Sequence, residues 1–166
     1  MVARILALLL LCCPLLNSQA SPRPGQPAPD FTLTDSTGAP VKLSALKGKV
    51  VLLDFWATWC HGCQIEIPWY MEFQNRYGKD GLAAMGVSMD EEGWKAVKPY
   101  LQDHKLNYPV VVGTKAVATE YGGLPSLPVT LLIDRSGNIA ELHAGMVDKS
   151  EFESKIKQLL QKGSGT

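Results

Sequence analysis

The sequence lacks net charge: sixteen Lys and Arg balance sixteen Asp and Glu over 166 residues, and no basic run occurs. A chain without a field of one sign has nothing to hold a phosphate backbone or an anionic lipid surface, so nucleic acid is not an expected partner. Long apolar runs are also missing. The longest, Ile5 to Leu16, falls short of the roughly 20 residues a membrane-crossing helix needs. It follows a positively charged start at Arg4 and precedes Ser18-Gln19-Ala20, the pattern of an export signal cleaved after Ala20. Residues 1–20 are therefore expected to be a signal peptide, with an uncleaved membrane anchor as the alternative. Cysteine is scarce as well. Of four, Cys12 and Cys13 lie inside the apolar run, preceded by Leu11 and Cys12 rather than the small side chains of a lipoprotein cleavage box. The exported part keeps only Cys60 and Cys63. A disulfide closing so short a loop constrains the unfolded chain very little, so the pair reads as reactive rather than structural.

Composition is otherwise that of one globular domain, 46% hydrophobic and 19% charged, with no internal repeat or low-complexity tract. Residues 21–29, with Pro22, Pro24, Pro27 and Pro29, suit an extended, solvated linker. The domain is expected over residues 30–162, leaving 163–166 as a tail. Phe31 to Thr34 and Val41 to Leu43, around a turn at Asp35 to Gly38, read as a hairpin. Val50 to Phe55 and Leu82 to Ser88 are short apolar runs suited to strands covered on both faces. Helical spacing follows from Gln64 to Tyr77, and again from Glu92 to His104, where Pro99 predicts a kink or restart. A third short strand is expected at Tyr108 to Val112 and a helical turn at Lys115 to Tyr121. A terminal hairpin, 130–133 with 139–144, precedes an amphipathic helix from Lys149 to Gln161 with Phe152, Ile156, Leu159 and Leu160 on one face. Strands alternating with helices indicate an α/β fold, a sheet with helices on both faces.

The chemistry centres on Trp59-Cys60-His61-Gly62-Cys63. Cysteines at i and i+3, after a buried strand and at the start of a helix, place the first sulfur among unpaired N–H groups that favour a thiolate. Cys60 is then the nucleophile, and Cys63, one turn further in, resolves the mixed disulfide. Cys63 is expected to be shielded by Trp59 and a proline loop. His61, when protonated, would favour the thiolate; an exposed, idle histidine is the plainer alternative. Asp54 interrupts an apolar strand, where an unpaired carboxylate is costly, and is a candidate proton acceptor for Cys63; capping is the alternative. Glu66 is either part of the site or a solvated first-turn acid. Zinc is disfavoured, since only His104 and His143 remain as isolated ligands, and Gln64 stands where haem attachment needs histidine.

On these residues the chain resembles the thioredoxin-like proteins of the TlpA/ResA type, exported relatives of thioredoxin. The matching stretches are Ala28-Pro-Asp-Phe-Thr-Leu33, Leu43 through Cys60, and Leu127-Pro-Val-Thr-Leu-Leu-Ile-Asp134 with Gly137. They extend over most of residues 28–160. The resemblance implies a thioredoxin-like fold with a central mixed sheet, an N-terminal β-hairpin and a helical insertion at about Glu91 to Lys105. It implies that Pro128 is a cis-proline facing the disulfide, with Pro125 as competitor. It also matches Asp54 to the family's buried aspartate and Glu66 to its acidic residue after the motif. Gly62 departs from the usual proline, which should loosen the helix start, and Val129 stands where threonine is common.

The expected function is extracytoplasmic thiol–disulfide exchange, in the reducing direction, without metal or small-molecule cofactor. Family members reduce client protein disulfides, including haem-site cysteines of apocytochromes c, and are recharged by a membrane thiol reductase. One rival is a peroxiredoxin-like thiol peroxidase with antioxidant activity, suggested by Val87-Ser-Met-Asp90. Against it, Thr58 lies two residues before Cys60, not three. Another is a Cu(I)-delivery module, for which the sequence places no methionine cluster beside the motif.

Overall fold

The computed structural model describes residues 21–162, so the expected export signal, with Cys12 and Cys13, and the tail 163–166 lie outside it. Among the described residues no helix is long and apolar enough to cross a membrane. The elements run β1 (Thr32–Thr34), β2 (Pro40–Lys42), β3 (Val50–Trp56), α1 (His61–Tyr77), β4 (Leu82–Ser88), α2 (Trp94–His104), β5 (Val110–Val112), α3 (Lys115–Glu120), β6 (Val129–Ile133), β7 (Ile139–Ala144) and α4 (Lys149–Gln161). β1 and β2 form a separate antiparallel hairpin. The main sheet has the order β5-β4-β3-β6-β7, with β3, β4 and β5 parallel and β6 and β7 antiparallel additions.

Because side chains alternate across a strand, β3 feeds two cores. Val50, Leu52 and Trp56 pack with Ile67, Tyr70 and Phe73 of α1, Val97 of α2 and Phe152 and Ile156 of α4. Val51, Leu53 and Phe55 face the hairpin's Phe31 and Leu33 and α3's Val117. The four apolar positions expected on α4 are all buried, and Asp148 caps it by accepting from Ser150 and Glu151 N–H. Asp54 falls on the α1 side of the sheet by the same alternation.

Four local expectations are corrected. The helix begins at His61, not Gln64, because Cys60 itself serves as N-cap. α2 runs unbroken through Pro99, as α1 does through Pro68, which the helical pattern overran. Both prolines lie on exposed faces, as do Lys95 and Gln64 whose carbonyls lose a donor, so the missing bond falls on the solvent side of each helix and not in the core. β5 starts at Val110 instead of Tyr108, since Pro109 has no N–H to give, although its carbonyl accepts from Gly86. Residues 21–29 are no solvated linker throughout. Gly25 N–H donates to Ile139 O, Ile139 N–H to Gln26 O and Ala28 N–H to Gly137 O, pinning the segment to the start of β7.

Candidate active site

The C-x-x-C turn is built by the end of β3 and the first turn of α1. Cys60 has extended backbone angles and its sulfur accepts from Cys63 N–H at 3.2 Å, the position a cap takes at a helix N-terminus. Cys60 and Cys63 are joined as a disulfide with Cα atoms 5.3 Å apart. Cys60 keeps 5% of its surface and Cys63 none. The approach loop is held by Asp90, which accepts from Thr58 N–H at 2.9 Å, Thr58 Oγ1 at 2.6 Å and Ser88 Oγ at 2.8 Å. Sequence reasoning noticed Asp90 only as part of a peroxiredoxin-like strand. Its distance of 32 residues from Thr58 hid this anchoring.

Pro128 follows a cis peptide bond, and its ring packs on the turn: a Cβ added to Gly62 would lie 3.3 Å from Pro128 Cδ. Pro125 is exposed on the neighbouring loop. Met146, from the β7–α4 connection, reaches the same place, with Cγ 3.1 Å and Sδ 3.5 Å from that Cβ position. The sequence showed no methionine at the motif; the fold brings one there from 84 residues away along the chain, by residue number. Trp59 does not shield Cys63. It is 70% exposed and borders a shallow cleft of about 230 Å³ with Met89, Leu124 and Leu127, while Cys63 is enclosed in the core with Trp56 and Ile67. His61 is exposed at the helix start.

Beneath the turn the structure gathers Asp54 and Glu66, both essentially inaccessible. Burial, reinforced by the nearby Glu66 charge, holds the Asp54 carboxyl well above its ordinary range, and a hydrogen bond from Thr130 opposes this only in part. Glu66 is no solvated acid. Its Oε1 accepts from Val147 N–H at 2.6 Å, and burial raises its pKa against the pull of that bond and of Tyr70. Tyr70 and Thr130 are members of this group that the sequence did not reveal. Asp54 and Thr130 are register partners across β3 and β6, and Tyr70 lies one helical turn beyond Glu66, a spacing that could have flagged it. Among the described residues no group of three or more His, Cys, Asp or Glu is placed to hold a metal.

A C-x-x-C disulfide at a helix N-terminus, with two buried carboxyls of raised pKa near it, is equipped for two-electron exchange with another thiol–disulfide pair. The AhpC/TSA family model matches residues 24–142. The chain belongs to that family. It is 37% identical over 134 residues to the thioredoxin-like protein YneN of Bacillus subtilis, covering 80% of this chain and 78% of that one. The thiol-disulfide oxidoreductase ResA of Bacillus anthracis is 36% identical over 137 residues, covering 81% and 78%. Among solved structures, a thiol:disulfide interchange protein of the thioredoxin family from Chlorobium tepidum superposes with a TM-score of 0.73 at 31% identity, over 85% of this chain and 99% of that one. This family member is a thiol–disulfide oxidoreductase of thioredoxin-like fold.

Proposed function

We propose that the protein is exported and reduces client protein disulfides outside the cytoplasm, with Cys60 attacking and Cys63 resolving. The observation that carries this reading is the contrast between the two sulfurs: Cys60 caps α1 and retains access, whereas Cys63 is enclosed. The Cys60 thiolate attacks one client sulfur, the client S–S bond breaks and a first client thiolate leaves. Cys63 passes its proton to Asp54 and attacks Cys60 Sγ. The Cys60–Cys63 bond forms as the second client thiolate departs, so two electrons pass from protein to client. Glu66 adjusts the acidity of Asp54, and Pro128 lines the approach to the sulfurs. Trp59, His61 and Gly62 tune the potential and the face offered to clients. A membrane thiol reductase would return the pair to the dithiol. The likeness to ResA supports thiol–disulfide exchange, while the reducing direction and apocytochrome c as a candidate client rest on the family resemblance alone. The apolar segment Ile5 to Leu16 supports export.

Equilibration with glutathione tests the direction. A reduction potential near the roughly −270 mV of thioredoxin is expected, and one near about −120 mV would make the protein an oxidant instead. Peroxide turnover without disulfide exchange would replace this reading by the peroxidase one, and stoichiometric Cu(I) retention without exchange by the delivery module.

A further inference from the structure

Four oxygen-bearing side chains form a file through the core on the α1 side of the sheet. Thr130 Oγ1 donates to Asp54 Oδ1 at 3.3 Å, and the Tyr70 hydroxyl lies 3.0 Å from the same Thr130 oxygen. Tyr70 lies one helical turn beyond Glu66 on α1, both buried on the same face, and Glu66 Oε2 has no other hydrogen-bond partner. Asp54 Oδ2 is likewise unpartnered. Threonine and tyrosine each have one proton and can both donate and accept. The file can therefore run in either sense: Glu66 to Tyr70 to Thr130 to Asp54, or the reverse. Reversal turns two hydroxyls and needs no strand or helix to move.

We propose that Tyr70 and Thr130 are positioning residues that wire Asp54 to Glu66, so that the two buried carboxyls share one proton and Asp54 is emptied for the proton of Cys63. This rests on the function proposed above. The transfer balances: the Asp54 O–H bond breaks as a Thr130 O–H forms, Thr130 gives its proton to Tyr70, Tyr70 gives its own to Glu66, and no electrons move. Two adjacent carboxylates cannot both ionise cheaply in a buried site, which favours one proton between them. The groups facing Asp54 are Glu66 and Tyr70 from α1, Tyr100 from α2 and Tyr108 beside β5; His143 from β7 acts on Glu66. Of these, Tyr100, Tyr108 and His143 lie outside the file.

The test measures the resolving step by single turnover across pH, in the full chain, for Tyr70→Phe, Thr130→Val and Thr130→Ser. Tyr70→Phe and Thr130→Val should each slow resolution about tenfold and move its pH midpoint by about one unit. Their combination should be no worse than either alone, and Thr130→Ser, which keeps a hydroxyl, should restore the rate. An unmoved midpoint in Tyr70→Phe, or equal loss in Thr130→Ser and Thr130→Val, would overturn the wire. The infrared carbonyl bands of the protonated acids, assigned with Asp54→Asn and Glu66→Gln, give a second readout that requires no exchange activity. Tyr70→Phe should shift the bands of both acids. A shift in neither overturns the wire even if the protein exchanges disulfides, and a shift in both upholds it even if exchange is absent.

Discussion

Gly62 and Met146 share one space: a Cβ on the glycine would sit 3.1 Å from the methionine Cγ and 3.3 Å from Cδ of Pro128. The glycine is therefore not merely a loosened helix start. It admits a thioether and a proline ring against the turn that joins the two cysteines.

Replacing glycine by alanine within a helix ordinarily stabilises by about 0.5–1 kcal/mol. Gly62→Ala should gain less than that, because Pro128 is buried and has little room to retreat. Met146 is 52% exposed and can swing away. In a Met146→Ala background the same change should recover about half or more of the ordinary gain. Urea denaturation of the four proteins in this cycle measures the coupling, and an equal effect in both backgrounds would show that the two side chains do not compete.

Asp54 gives a pH-dependent stability. Its pKa is raised in the fold, so the folded state keeps a proton that the unfolded chain has lost. Between the ordinary value of 3.8 and the raised one, the unfolded state binds fewer protons, and stability falls as pH rises. Each unit separating the two values costs about 1.4 kcal/mol at high pH. Asp54→Asn should consequently gain stability over the parent as pH climbs above the ordinary value of 3.8 towards the raised one, and show no such gain below 3.8. Thermal melts across that range decide it. The same variant should slow release of a mixed disulfide while leaving its formation unchanged.

The unequal burial of the sulfurs predicts which cysteine variant traps a client. Cys63→Ser should accumulate a covalent adduct with an oxidised peptide, since Cys60 can attack and nothing resolves the product. Cys60→Ser should trap nothing, because Cys63 has no accessible surface. Non-reducing mass spectrometry separates the outcomes, and trapping only by Cys60→Ser would falsify the assignment of attacking and resolving thiols.

Asp90 ties β4 to the loop before Cys60 by accepting from Thr58 twice and from Ser88 once. Asp90→Ala leaves those donors without their acceptor and should cost about 2–3 kcal/mol. Thr58→Val removes one donor and should cost about 1 kcal/mol. Hydrogen exchange at residues 57–60 should rise more in Asp90→Ala than in Thr58→Val. Protection unchanged in both would mean that the loop is held by its other contacts, Gln64 Nε2 to Thr58 O and Met89 N–H to Trp56 O.

The sequence by itself determined the elements and the reacting pair. Buried strands announce themselves as unbroken apolar runs, α4 by its 3.6-residue stripe, and the pair by two cysteines at one helical turn after a strand; all are signals carried by neighbours in the chain. It also marked Asp54 as out of place, since a carboxyl inside an apolar strand demands a reason, while it left Glu66 open between a site residue and a solvated first-turn acid. Their companions were decided only by tertiary structure. Thr130 meets Asp54 because β6 returns antiparallel beside β3, Met146 meets Gly62 because the β7–α4 connection folds over α1, and Val147 N–H meets Glu66 by the same route. Trp59 points to solvent for the complementary reason: the core beside Cys63 is already filled by Trp56 and Ile67. Chain periodicity fixes which face a residue takes, but who waits on that face depends on register and packing between segments tens of residues apart, and no local pattern encodes it.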